Sequence, residues 1–167
     1  MNRILARGFA PTIFEKLFDD EPYVPAEAIA LRRLNLEELK ESVARDLEAL
    51  LNSRRGHGED ILESYTHALS SILSFGITDF VGLSLSNPAD CHRICSGIEQ
   101  TIERHDKRLR GTRVTLEVDR YTTNTLRFNI HALLVVHPAR EPVNFDALLQ
   151  PTTQQYSVSR SRRHGMV

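Results

Sequence analysis

The stretch NLEELKESVARDLEALLNSRRG, residues 35–56, constrains the fold more than any other part of the chain. Leu36, Leu39, Val43, Leu47, Leu50 and Leu51 recur mostly at intervals of three and four, which places them on one side of an α-helix and commits that side to a core. The local chemistry marks both ends. Asn35 is a helix cap with Glu38 three residues on, Leu34 and Leu39 supply a hydrophobic staple, and Arg54 and Arg55 occupy a last turn that Gly56 ends. The other side carries Glu37, Lys40, Glu41, Arg45, Asp46, Glu48 and Asn52, charges of both signs. Such a face is a solvated surface, a catalytic set or a docking surface.

A second helix is expected after Asn87 and Pro88, burying Cys91, Ile94, Cys95, Ile98 and Ile102 and ending near Arg104 to Asp106. Between His57 and Gly82 the pattern supports two readings. Ile61, Leu62, Tyr65, Leu69, Ile72 and Leu73 suit a helix, while SSILSFGI also suits a short buried strand. Beyond the basic connector RHDKRLRGTR, residues 104–113, the period falls to two. Val114, Leu116 and Val118 alternate with polar residues, and Leu126, Phe128, Ile130 and Ala132 form one face of a following strand. An antiparallel hairpin over about 113–136 follows. The expected class is α+β, two main helices packed on a small antiparallel sheet built around this C-terminal hairpin.

Three segments are expected: an N-terminal arm over 1–34 with a short helix near 11–19, an α+β body over 35–137, and a flexible tail over 138–167 rich in Pro, Gln, Thr, Ser and Arg. A chain of 167 residues suffices for one domain with a core. Twenty-one basic against twenty-two acidic residues leave a formal charge of −1, which gives no global field toward nucleic acid. No apolar run approaches the ~20 residues of a membrane span, and MNRILARGFAP lacks the apolar centre of a secretory signal, so cytoplasmic location is expected.

Candidate chemistry is weak. Cys91 and Cys95 share a helix face, but His92 points away from it and no second Cys/His pair stands at ligand spacing, so no metal is expected. Glu48, Glu59, Asp60 and Glu63 are the nearest approach to the carboxylate pair of a glycosidase. They lie among charged neighbours in a chain without Trp. No nucleophile elbow and no phosphate loop is present, so neither an enzyme nor a cofactor is expected.

Several of these stretches together resemble the TssE family of type VI secretion baseplate subunits, relatives of the wedge and sheath-initiator proteins of contractile phage tails. The likeness runs from about residue 11 to 137 and includes the early Pro and acidic pattern of PTIFEKLFDDEP. SVARDLEALLNSRR is similar to the family element RDLEALLNTRR, with Arg45, Asp46, Leu47, Leu50, Leu51, Asn52 and Arg54 matching and Ser53 in place of a Thr. SILSFGITDF is similar to SVLNYGLPDL, retaining Ser71, Leu73, Gly76 and Asp79. A Glu-Pro-Arg motif of relatives aligns with Asp106, Lys107 and Arg108, keeping the acid and the Arg.

The resemblance implies a structural subunit in the bacterial cytoplasm, within a baseplate docked at the inner membrane. Its implied partners are the wedge subunits TssF, TssG and TssK and the contractile sheath proteins TssB and TssC, whose polymerisation it primes. Nucleic acid and direct membrane insertion are not implied. The alternatives are a lysozyme-like muramidase, after an old label of the family, and a generic adaptor. Under the structural reading Arg45, Asp46, Asn52, Arg54, Asp106 and Arg108 dock on wedge partners. The hairpin residues Val114, Leu116, Val118, Leu126, Phe128 and Ile130 are then expected to offer an open sheet edge to a sheath strand.

Overall fold

The computed structural model of the chain describes residues 8–13, 23, 33–56, 64–80, 82–84, 87–117, 125–137 and 139–161. Two helices, α1 (Leu36–Asn52) and α2 (Pro88–His105), precede four strands, β1 (Leu109–Glu117), β2 (Leu126–Val136), β3 (Ala139–Gln150) and β4 (Gln155–Arg160). The α+β class is therefore as expected. Two compact units divide the chain at Val43/Ala44, inside α1.

In the first unit Phe9 and Leu34 exchange backbone hydrogen bonds at 2.7 and 2.8 Å. Gly8, at φ +67°, lies against the Leu34 carbonyl, where a Cβ would come within 2.9 Å of it. At the start of α1 the Asn35 side chain accepts from the Glu38 N–H at 2.9 Å, and Glu38 accepts from the Asn35 N–H at 2.8 Å. This reciprocal pair satisfies two amides that a helix start otherwise leaves open. The expected short helix near 11–19 lies outside the described residues beyond Ile13.

The second unit holds the sheet, in the order β1-β2-β3-β4 with every pair antiparallel. Its inner face carries Leu109, Val114, Phe128, Ile130, Leu134, Val143, Phe145, Ala147, Tyr156 and Val158, all buried. Leu47, Leu50 and Leu51 of α1 and Ile94, Ile98 and Ile102 of α2 are buried as their spacing requires. Asn87 caps α2 by accepting from the Ala89 N–H at 3.0 Å.

Four expectations change. The flexible tail expected from 138 is instead β3 and β4 over most of its length. Val143, Phe145 and Ala147, and then Tyr156 and Val158, carry a period of two that the polar composition around them obscures. β1 also begins four residues before the expected strand, because a bulge absorbs one residue between Arg110 and Arg113 and Gly111 takes the positive φ it needs. Next, α1 stops at Asn52 rather than running through Arg54. The Ser53 carbonyl accepts from the Ile77 N–H and the Arg55 N–H donates to the Ile77 carbonyl, at 2.9 and 3.0 Å, so strand-like pairing replaces the last turn. Finally, residues 68–74 are neither α-helix nor strand but two short 3₁₀ turns, Ala68–Ser70 and Ile72–Ser74, with Ile72 and Leu73 exposed.

Candidate functional site: an ion cluster and two covered sheet edges

Arg108 is the centre of a densely connected polar cluster among the described residues of the second unit. Its Nε donates to Asp106 Oδ1 at 2.9 Å, and its Nη2 donates to Asp106 Oδ2 and to Asp46 Oδ2, each at 2.7 Å. The Arg108 backbone N–H also donates to Asp106 Oδ1, at 2.9 Å. A planar guanidinium meeting one carboxylate through two parallel bonds is the geometry that Lys cannot reproduce. Burial disfavours the charged guanidinium, but the two carboxylates outweigh it, and the net effect raises its pKa. Asp106 is buried and caps α2, while the Asp46 side chain remains 41% exposed. All three are among the residues expected from the sequence to dock on partners, and the fold brings them together from the middle of α1 and the α2–β1 turn.

A sheet ends in strands whose outward N–H and C=O groups lack a neighbour, a liability that folds manage explicitly. Here the helices cover part of both margins. On β4, Asn52 donates from Nδ2 to the Tyr156 carbonyl and accepts at Oδ1 from the Tyr156 N–H, each at 2.8 Å. One helical turn earlier, Glu48 Oε2 accepts from the Val158 N–H at 2.8 Å. Residues four apart on a helix and two apart on a strand have similar spacing, about 6 to 7 Å, so the two side chains match alternate outward amides. On β1 the same device recurs in α2. Glu99 Oε1 accepts from the Val114 N–H at 2.8 Å, and four residues earlier the Cys95 sulfur lies at the Leu116 amide. Burial pushes the Cys95 thiol up, which that amide partly offsets.

This geometry corrects the open hairpin edge. β2 pairs on both sides at Phe128 and Ile130, which offer no free backbone and whose side chains are fully buried, while Leu126 pairs with Leu149 of β3. β1 is an edge strand, but α2 side chains meet the outward amides of Val114 and Leu116. Val118 lies outside the described residues. Arg54, also selected for docking, donates to the Leu51 carbonyl at 3.0 Å and to the Gln154 carbonyl at 2.9 Å, fastening the β3–β4 turn. Arg45 is exposed on α1.

The sequence alone does not point to Glu99, Gln154, Tyr156 and Val158, and it places Glu48 on the charged face of α1 and among the candidate catalytic acids, not at a strand margin. No local pattern marks a carboxylate as the cap of a strand 110 residues away in sequence. Of the other carboxylates once weighed for glycoside hydrolysis, Glu59, Asp60 and Glu63 lie outside the described residues. Among the described residues no three His, Cys, Asp or Glu side chains converge on a possible metal position, and no helix is long and apolar enough to cross a membrane.

A solved structure described as the baseplate complex from the type VI secretion system is similar over 68% of this chain and 96% of the matched chain, at 15% sequence identity and a TM-score of 0.47. No curated protein sequence matches the chain. The family model described as baseplate wedge protein gp25 matches residues 37–139, which include all of α1 but its first residue, α2, β1 and β2 and the whole Asp46–Asp106–Arg108 cluster. The chain belongs to the baseplate wedge protein gp25 family.

Proposed function

We propose that the chain is the TssE subunit of a type VI secretion baseplate, where it joins the wedge subunits TssF, TssG and TssK and primes polymerisation of the TssB/TssC sheath. The single observation that carries this reading is the family match across both helices and the central hairpin. The likeness of residues 45–54 and of Asp106–Arg108 to type VI motifs narrows it to that system. A baseplate of this kind works in the bacterial cytoplasm against the inner membrane, and the role requires no reaction.

The partly exposed Asp46–Arg108 pair and the exposed Arg45 then form the wedge-facing contact. Asp106 stays buried behind them, holding the guanidinium in one orientation before any partner arrives, which lowers the ordering cost of binding. Sheath priming by strand addition has to differ from simple completion of a vacant edge. An incoming strand displaces Glu48 and Asn52 from β4, or Glu99 from β1, and replaces each side-chain bond with a backbone bond. Such exchange keeps the margin covered until the sheath subunit is present.

Co-expression with tagged TssF, TssG and TssK, together with imaging of fluorescent TssB in cells lacking the chain, tests the reading. Recovery of the chain with the wedge and restoration of sheaths by the intact gene are expected. A chain that purifies apart from all three subunits, in cells that assemble sheaths without it, overturns the assignment.

A further inference from the structure

The outer face of the sheet is neither uniformly polar nor uniformly charged. Along β2, Leu133 and Val135 point outward, with Leu133 36% exposed. Leu133 stands opposite Arg110 on β1 and Pro142 on β3, and Val135 stands opposite Arg140 on β3. Arg110, Pro142 and Arg140 are exposed. One row further along, Arg113 and His131 stand opposite each other. The Arg113 side chain is 80% exposed, and its contact with Glu99, at 3.8 Å, is long for an ion pair. Arg110 and Arg140 have no ion-pair partner among the described residues, and the rows of this half-face present no carboxylate outward. The acidic residues of the outer face, Glu117 and Asp146, lie at or beyond the Thr115–Asn129–Asp146 row.

An aliphatic centre with cations on opposite sides has the arrangement of an interface core and its rim. Arg110 and Arg140 sit two strands and two residue steps apart, roughly 12 Å between their Cα atoms, with Leu133 and Val135 between them. In an extended chain, residues four apart are separated by about 13 Å and point to the same side. The match defines a ligand pattern: an acidic residue, an aliphatic residue two positions on and a second acidic residue two further.

We propose that this half of the outer sheet face is a docking surface for an extended acidic protein segment of that pattern, its aliphatic side chain on Leu133 and its carboxylates on Arg110 and Arg140. Each guanidinium donates two parallel hydrogen bonds to a carboxylate. A nucleic-acid strand fits less well, because no described Phe, Tyr or Trp side chain lies on this half-face to stack a base, His131 being its one aromatic ring among the described residues, and the chain as a whole carries −1 charge. The surface lies outside the Asp46–Arg108 cluster, so its test is separate from that of the baseplate assignment.

The probe is the synthetic peptide acetyl-Thr-Glu-Thr-Leu-Thr-Glu-Thr-amide, titrated into the isotopically labelled full chain and followed by amide NMR. A control peptide of identical composition has its two Glu adjacent, and a short DNA duplex is titrated at the same ionic strength. Shifts confined to residues around Arg110, Leu133 and Arg140 are expected. The Arg110→Glu/Arg140→Glu variant should bind at least about tenfold more weakly with unchanged thermal unfolding, as should the intact chain toward the control peptide. The proposal is overturned by scattered or absent shifts, by equal binding to the double variant, by equal binding of the control peptide, or by tighter binding of the duplex at this face. A second variant, Leu133→Ser, keeps the charges and should also lose affinity; unchanged binding there removes the aliphatic anchor from the account.

Discussion

The side chain of Asn52 makes both hydrogen bonds that a neighbouring strand would make to Tyr156, donating to its carbonyl and accepting from its N–H, each at 2.8 Å. A primary amide has the donor and acceptor of a peptide group in one plane, so a single helical residue stands in for a strand backbone. Tyr156 is in turn buried against Phe128, with ring centroids 6.1 Å apart, and burial pushes its hydroxyl up to about 12. The pair therefore ties the end of α1 to the last strand and through it to the sheet core.

Asn52→Ala should destabilise the protein by about 1 to 2 kcal/mol, since two bonds are lost while water has partial access to the freed groups. Urea unfolding measures it. Asn52→Asp retains the acceptor but sets a carboxylate against the Tyr156 carbonyl, and should recover none of the loss; full recovery would mean that the donor bond contributes nothing.

Arg108 separates a charge requirement from a geometric one. Arg108→Lys keeps the cation but not the fork, and should cost about 1 to 2 kcal/mol. Arg108→Ala leaves Asp106 buried without its counter-charge and should cost about 3 kcal/mol or more. A denaturation midpoint for Arg108→Lys equal to that of the parent would show that the guanidinium geometry is immaterial.

Gly76 has φ +105°, and a Cβ there would stand 2.5 Å from the Ser53 carbonyl oxygen and 2.7 Å from its carbon. The same carbonyl accepts from the Ile77 N–H, so it cannot retreat without breaking that bond. Gly76→Ala should lose about 2 to 4 kcal/mol, through backbone strain and the broken Arg54–Ile77 bridge. Differential scanning calorimetry should show a clear drop in Tm; an unchanged Tm would contradict the described approach of the two segments.

His105 sets a pH dependence. Burial holds its pKa below 6.5, an effect that its contact with the Ser74 carbonyl, at 2.9 Å, opposes only partly. Phe75 packs edge-on against the ring. The unfolded chain therefore binds the proton first on acidification, and stability is full above about pH 6.5 and falls as pH drops toward the lowered folded value. His105→Gln keeps a donor for Ser74 without a titrating ring. Denaturation midpoints between pH 7 and 5 should fall less in that variant than in the parent, and parallel profiles would remove His105 as a source.

Helix placement was largely legible in the sequence because its causes are local. The leucine spacing of α1, the Asn35–Glu38 reciprocal cap and the Asn87–Pro88 start all act within one or two turns. Strand alternation in β1 and β2 was legible for the same reason, whereas β4 was not. Tyr156 and Val158 are its only buried apolar residues, among Ser, Gln and Arg, and the strand is held by β3 on one side and by Asn52 and Glu48 on the other.

By itself the sequence determined the residue types, the amphipathic faces and the charges present on each helix. Only the tertiary structure decided what those charges meet. Asp46, Glu48, Asn52 and Arg54 lie on or just past one helix and read alike as a charged surface. The fold sends the first to Arg108, the next two to the margin of β4 and the last to the Gln154 carbonyl. The physical reason is range: a capping bond or a hydrophobic stripe is set by neighbours within a few residues, but a carboxylate finds a partner 62 or 110 residues away only after the sheet has formed beside its helix.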